Sequence, residues 1–299
     1  MLNATRAHIT SLILVTALAT PAIALEPIIG FPIYKADYKR NPYNTELILA
    51  ALDETVSDYG PYSFSYPSHP MGNDRTIVEL VKGHELHLTQ APYRKHWLGK
   101  SIIVPFPINK GINSYRVFFS HERHKKAFSK VSKLDHLRAF SFGQGRGWST
   151  VNVLKKYNFD IIYIDSYDGL FDMIEKDRFQ LLMQGVQEVF VEKGRTMLMN
   201  EGAYLVDEFY AFVYLPSYIH VTPTQPELAK RLELGLTRLN KKGEVDALLH
   251  KHSSKAIQII NSIKGPVFFL ENINLPPGSF ERDKPLLLDA IKNSVHKPG

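Results

Sequence analysis

The stretch that decides the fold is Phe140–Glu192, FSFGQGRGWSTVNVLKKYNFDIIYIDSYDGLFDMIEKDRFQLLMQGVQEVFVE. Its apolar runs and helical spacings read strand, glycine-rich turn, helix, strand, helix, strand. The turn Gly143–Ser149 opens straight into the helix Ser149–Tyr157. Glycines there would let backbone N–H groups approach an anion at the helix start, where the dipole favours negative charge. The stretch pairs no nucleophile with a base and builds no metal cage. Its chemistry is that of holding a small molecule.

The same alternation extends upstream. Pro27–Ile33 predicts a buried strand, and residues 44–59 a helix with Asn44 as N-cap and Gly60-Pro61 as its stop. Tyr62–Tyr66 alternates as a strand, Asp74 caps a second helix ending at Gly83, and His84–Thr89 alternates again. Residues 90–113 are irregular, and Tyr115–Ser120 is a strong strand. Downstream, Phe209–Leu215 is another strand. Thr224 and Glu227 have the spacing of a capping box before a helix ending at Gly243, and helices Glu244–His252 and Lys255–Ile263 follow.

Alternating strands and helices imply an α/β fold with right-handed crossovers and mostly parallel sheets flanked by helices. Two βαβ sets, with extended strands near Tyr115 and Phe209 between them, imply two lobes joined by two hinge crossings. The division expected is residues 25–118 in the first lobe and 119–211 in the second. Residues 212–299 then return to the first lobe and add a C-terminal tail. A ligand would sit between the lobes, outside the carboxyl ends of the strands.

At 299 residues and 44% hydrophobic, the chain can build two cores. Residues 1–24 read as a signal peptide: Arg6, an apolar run Ile9–Ala19, and a cleavage site near Ala24 that starts the mature chain at Leu25. That run is too short to span the ~30 Å of a bilayer. The absence of cysteine removes both disulfides and a thiol for lipidation. The expected compartment is the periplasm. Losing Arg6 takes Lys+Arg from 36 to 35 against 30 acids, so the mature chain carries +5. Nucleic acid is not an expected partner there. The mild basic excess suits an acidic small ligand or plain solubility.

Metal and dinucleotide signals fail on spacing. His84-Glu85-Leu86-His87 is one residue short of the zinc-protease pattern, and on a strand its two imidazoles point to opposite faces. His121 and His124 fall in a charged, solvated segment. Gly143, Gly145 and Gly147 lack the dinucleotide spacing. No metal and no cofactor is expected.

As a composite, these motifs resemble bacterial periplasmic solute-binding proteins of the two-lobed type 2 fold, in the cluster related to the polar amino-acid receptors of ABC importers. The resemblance rests on Gly143-Gln144-Gly145 with Trp148, Ser166-Tyr167-Asp168-Gly169-Leu170-Phe171-Asp172-Met173, Arg178-Phe179 and Gly185-Val186-Gln187-Glu188. Pro107–Gly111, Tyr115-Arg116 and the phrase Leu270–Pro277 add to it, and it covers most of residues 25–280. It implies a monomeric receptor, not an enzyme, that closes on a small polar ligand, carboxylate-bearing and amino-acid-like, and delivers it to an ABC permease. The alternatives are a sensory protein feeding a membrane signalling partner, or a relative of the cyclohexadienyl dehydratases with Glu188 as general acid.

The resemblance also implies site residues. Relatives hold an α-carboxylate with a strand-end hydroxyl and an arginine five residues later, here Thr89 and Arg94. The arginine fork suits a carboxylate. Ser149 and Thr150 stand where relatives supply a helix-start hydroxyl and amides, although Ser149 reads first as an N-cap, and one residue can serve both roles. Relatives place an aspartate after the last strand of the second lobe to pair the α-ammonium. This chain has none there, which departs from a standard α-amino-acid site, and Glu188 is the candidate substitute. From the residues themselves, Trp148 is a lid or a packing residue, Arg116 and Arg146 are further anion contacts, and Tyr34 faces the cleft by topology.

Overall fold

Two sheets organise the chain in the computed structural model, which describes residues 25–31, 42–69, 71–165, 167–190 and 202–294. The expected signal peptide at 1–24 and Tyr34 lie outside these residues. The first lobe begins β1 (Glu26–Ile29), α1 (Pro42–Asp53), a helical turn Val56–Tyr59, β2 (Tyr62–Ser65), α2 (Asn73–Lys82), β3 (Leu88–Pro92) and β4 (Ile102–Val104). Then come β5 (Tyr115–His121), β6 (Ser141–Gly145), α3 (Thr150–Lys156), β7 (Asp160–Ile164), α4 (Tyr167–Glu175), β8 (Leu181–Gly185) and β9 (Ala203–Val213). The chain finishes β10 (Ser217–Val221), α5 (Pro226–Lys241), α6 (Glu244–Ser262), β11 (Val267–Leu270), α7 (Ser279–Asp283) and α8 (Asp289–Ser294).

In the first sheet β1 runs parallel to β2, and a parallel bridge from Gly30 to Leu88 joins β1 to β3. Antiparallel β10 then lies between β3 and β4. The second sheet has the order β11-β9-β5-β8-β6-β7. Its parallel βαβ half, β8-β6-β7, is formed by residues 141–185. The fold is the two-lobed α/β arrangement the sequence implies, with β5 and β9 leading into and out of the second sheet. A further passage was not foreseen: β11 pairs with β9, so the chain returns to the second sheet after α6.

Alternation on β5 splits the apolar burial of the second sheet. Val117 and Phe119 join the large core shared with the first lobe, whereas Phe118 packs with Phe142, Phe209 and Phe128 on the opposite face. In the first lobe, Arg231 on α5 is completely buried. It donates to Glu26 Oε2 (2.8 Å), Gly60 O (2.9 Å), Leu52 O (3.2 Å) and Thr55 Oγ1 (3.2 Å) and lies over the rings of Tyr59 and Tyr62. A buried guanidinium is tolerable only with this many acceptors. It binds β1, α1 and β2 to one helix.

Five local expectations need correction. The third strand is Leu88–Pro92, not His84–Thr89, because its register is set by β10, from Val221 opposite Leu88 to Ser217 opposite Pro92. Asn44 is inside α1, where its amide donates to Gln90 Oε1 (3.0 Å). The helix after Thr224 starts at Pro226 with no side-chain cap, since Thr224 pairs with Thr222 instead. Gly143 and Gly145 belong to β6, and of the glycines in this stretch only Gly147 takes the left-handed conformation (φ +82°). The break between helices at residues 252–255 is a kink in α6 at Ser253 (φ −129°).

Helices α1 and α5 meet at backbone contact. A Cβ added to Gly235 would overlap the Ala51 carbonyl. Gly235→Ala is expected to push the helices apart and cost about 1–3 kcal/mol. A circular-dichroism melt should show it as a lowered midpoint, and an unchanged midpoint would refute the close packing.

Candidate functional site

A cavity of about 510 Å3 opens between the two sheets. The first lobe and the crossings contribute Pro92 at the end of β3, Ser217 at the start of β10, Asn113 and Leu215. The second contributes Arg116 on β5, the run Trp148-Ser149-Thr150 after β6, and Gln184, Gly185, Gln187 and Glu188 at and after the end of β8. The carboxyl ends of parallel β6 and β8 thus feed it, as open α/β sheets dictate.

Arg116 is the centre of the site's electrostatics. The register of β5 against β9 shifts between Arg116 and Phe118, an irregularity that re-aims a side chain. The residue is 7% exposed, and burial pushes its pKa below the usual arginine value, with Glu188 acting the other way. Arg116 NH1 donates to Asn113 O (3.2 Å) and NH2 lies 3.9 Å from Glu188 Oε2. Its Nε has no hydrogen-bond partner among the described residues, and neither has Nε2 of Gln184, which is 2% exposed. Two buried donors on one cavity are costly unless an acceptor joins them.

Glu188 sits in a 3-10 turn directly after β8. The Gly185 amide donates to Glu188 Oε2 (2.6 Å). A Cβ at Gly185 would come within 3.2 Å of Arg116 NH1 and 3.3 Å of the Glu188 carboxylate. Glycine therefore leaves the space in which the two charges meet. Glu188 is about half exposed and accepts the Gly185 hydrogen bond, without apolar burial. The dehydratase alternative finds no support in its surroundings.

Trp148 is half-buried against the main core and lines the cavity, so packing and lining combine in one side chain. Its indole lies where a Cβ of Gly145 would be, as the Phe179 ring does at Gly143. The glycines of this stretch make room for aromatic rings. Thr150 is buried and donates to Gln144 Oε1 (2.7 Å), whose amide in turn reaches Gly143 O (2.8 Å). Ser149 makes no side-chain cap, and its carbonyl accepts from Asn274 Nδ2 (3.0 Å). Gln187 reaches across to the α6 kink at Ser253 Oγ (2.9 Å).

The structure brings together Arg116, Trp148, Ser149, Thr150 and Glu188 of the residues singled out from sequence. Thr89 and Arg94 fall outside this set. Thr89 is buried in β3 opposite His220, and Arg94 lies over the Trp97 ring (5.6 Å). Arg146 pairs with Asp165 at the surface (2.8 Å). Asn113, Gln184, Gln187, Leu215 and Ser217 escaped the sequence reading. Of these Gln184 carried a signal, as a lone amide closing an apolar strand. Among the described residues no cluster of three metal-ligating side chains occurs, and no helix is long and apolar enough to cross a membrane.

No protein-family model matches the sequence, and no curated protein matches it significantly. Solved structures do match. The probable amino-acid ABC transporter extracellular-binding protein YtmK of Bacillus subtilis aligns at TM-score 0.53 and 16% identity, covering 77% of this chain and 98% of its own. A second Bacillus subtilis protein, YckB, aligns at TM-score 0.53 and 11% identity over 82% and 96% of the two chains. A histidine kinase sensor domain similar to periplasmic binding proteins aligns at 0.46 and 14% over 77% and 96%. The chain has the fold of the two-lobed type 2 periplasmic binding proteins.

Gly145→Ala is expected to expel the Trp148 indole and move its emission to longer wavelength. Trp97, 2% exposed and the second of two tryptophans, should not change. An unaltered spectrum would contradict the packing described.

The neighbourhood of Arg94 generates a pH dependence. His220 is 1% exposed, accepts or donates at Ser101 Oγ (2.9 Å) and meets Trp97 edge-on. Burial, and then the charge of Arg94, depress its pKa to about 4. The unfolded chain takes this proton near pH 6.5 and the folded chain only near 4, so stability is complete above 6.5 and declines towards 4. His220→Gln should remove about 3 kcal/mol of the pH-dependent stability in that window, read from urea midpoints, leaving the smaller slope of His87, whose pKa burial also lowers. A curve as steep as the wild type would exclude the role of His220.

Proposed function

We propose that this chain is a periplasmic solute-binding protein that captures a small polar, carboxylate-bearing ligand between its lobes and presents it to an ABC importer. The observation that carries the reading is the pair of buried donors, Arg116 Nε and Gln184 Nε2, on a single interlobe cavity. A carboxylate has two oxygens to offer a guanidinium and an amide at once. Arg116 takes the clamp role that the resemblance gave to Arg94. Ser149 and Ser217 supply hydroxyls from opposite lobes, and Trp148 a flat apolar wall. Nothing in the cavity pairs a nucleophile with a base, so the reading is binding without turnover.

Residues 25–118 and 119–211 are the two lobes of this proposal, and residues 212–299 return to the first except for β11, which pairs into the second. Lobe closure would exchange water around the ligand for preset donors from both sides. The protein acts as a monomer, exported with a signal peptide cut near Ala24.

A thermal-shift screen over L-amino acids and organic acids tests the reading. A ligand at a hundred times its dissociation constant should add about 2.7 kcal/mol of stability. Arg116→Gln is expected to abolish that response and Arg94→Ala to keep it. The opposite result would return the clamp to Arg94.

A further inference from the structure

We infer that Glu188 is a tethered competitor for the site's anion position: its carboxylate holds the Gly185 amide and faces Arg116, where a ligand carboxylate would bind. This rests on the binding function proposed above. A carboxylate bound by an arginine and a strand-end amide needs two things, a donor N–H and a cationic fork. Glu188 Oε2 takes the Gly185 N–H at 2.6 Å and stands 3.9 Å from Arg116 NH2. Glycine at 185 keeps this arrangement uncrowded, since a Cβ there would come within 3.2 Å of the guanidinium and 3.3 Å of the carboxylate.

The pairing is incomplete, and that gives it a regulatory character. At 3.9 Å Glu188 screens Arg116 without making the close bidentate contact the guanidinium can form, and Arg116 Nε and Gln184 Nε2 have no partner among the described residues. Glu188 is also about half exposed, so swinging it into water costs little, whereas Arg116 cannot leave. Arg116 and Glu188 are the charged side chains lining the cavity, and together they cancel. An incoming carboxylate that displaces Glu188 gains the Arg116 guanidinium, Gly185 N–H and Gln184 Nε2. The internal carboxylate therefore sets a threshold: ligands that satisfy all of these donors bind, and simple anions that reach one or two do not.

This assigns Glu188 a sign opposite to that of an ammonium partner. The test is calorimetric titration of the full mature chain, wild type and E188Q, with acetate, succinate, citrate and the standard L-amino acids at low and high salt. Glutamine keeps the size and the hydrogen bond from Gly185 but removes the charge. E188A, which also frees the amide, serves as the second variant should E188Q melt early. Removing the competitor is expected to tighten every carboxylate probe by roughly tenfold at low salt, and less at high salt. Equal or weaker binding in both variants overturns the inference and makes Glu188 a ligand contact or a turn fastener. R116Q separates this failure from failure of the function proposed: carboxylate binding that survives R116Q unchanged refutes the anion site itself. If no probe binds the wild type or either Glu188 variant, both are refuted.

Discussion

A guanidinium buried at the seam of two sheets needs negative charge, and much of this structure follows from supplying it incompletely. Arg116 enters the seam because β5 slips register just after it, and because Gly185 on the neighbouring strand has no side chain to exclude it. Arg231 shows the contrasting case. It is equally buried but surrounded by four oxygens and two tyrosine rings, so it fastens elements together and faces no cavity. The same residue type fastens the fold where its donors are satisfied and, in the function proposed, meets a ligand where they are not.

The fold was legible because it rests on periodicity. The strand and helix alternation read in 140–192 is the order of β6, α3, β7, α4 and β8, since the apolar runs of β6 and β8 are buried on both faces of a parallel unit and β7 closes its edge. Expectations failed where partners distant in sequence decide. The register of β3 belongs to β10, more than a hundred residues away, so the alternation at His84–Thr89 was misleading. β10 itself, with all five residues buried, and the short β4 and β11 carry no alternation to read.

The site was half legible. Trp148, Ser149, Thr150 and Glu188 follow strand ends of the βαβ unit, and topology alone places such residues at the cleft. An expected strand ending at Thr89 puts Thr89 and Arg94 at the cleft; with β3 running to Pro92, it is Pro92 that reaches the cavity, and Arg94 lies over Trp97. The glycines of Gly143-Gln144-Gly145 were read for exposed amides and serve instead as floors for Phe179 and Trp148. A glycine in sequence announces that a side chain is unwelcome, without saying whether a ring or an anion is what needs the space.

The C-terminal segment binds these parts into one mechanical unit. After β11 joins the second sheet, Asn274 reaches the Ser149 carbonyl and Asn272 the Tyr214 carbonyl, on either side of the cleft. Asp283, 1% exposed, then accepts from Tyr214 (2.6 Å) and Tyr218, the residues that bracket the return crossing, while Arg282 offsets its charge. Leu288 N–H reaches the carbonyl of Lys110 (3.1 Å) in the outward crossing, and Lys110, held at φ +42°, is fixed by Asn240 and Asp246. The two crossings also bond to each other, Leu215 N–H to Ser114 Oγ (3.0 Å). A strained residue persists only where its surroundings overdetermine it. The tail thus ties the two crossings together from behind the cavity, while Arg116 and Glu188 line the cavity itself.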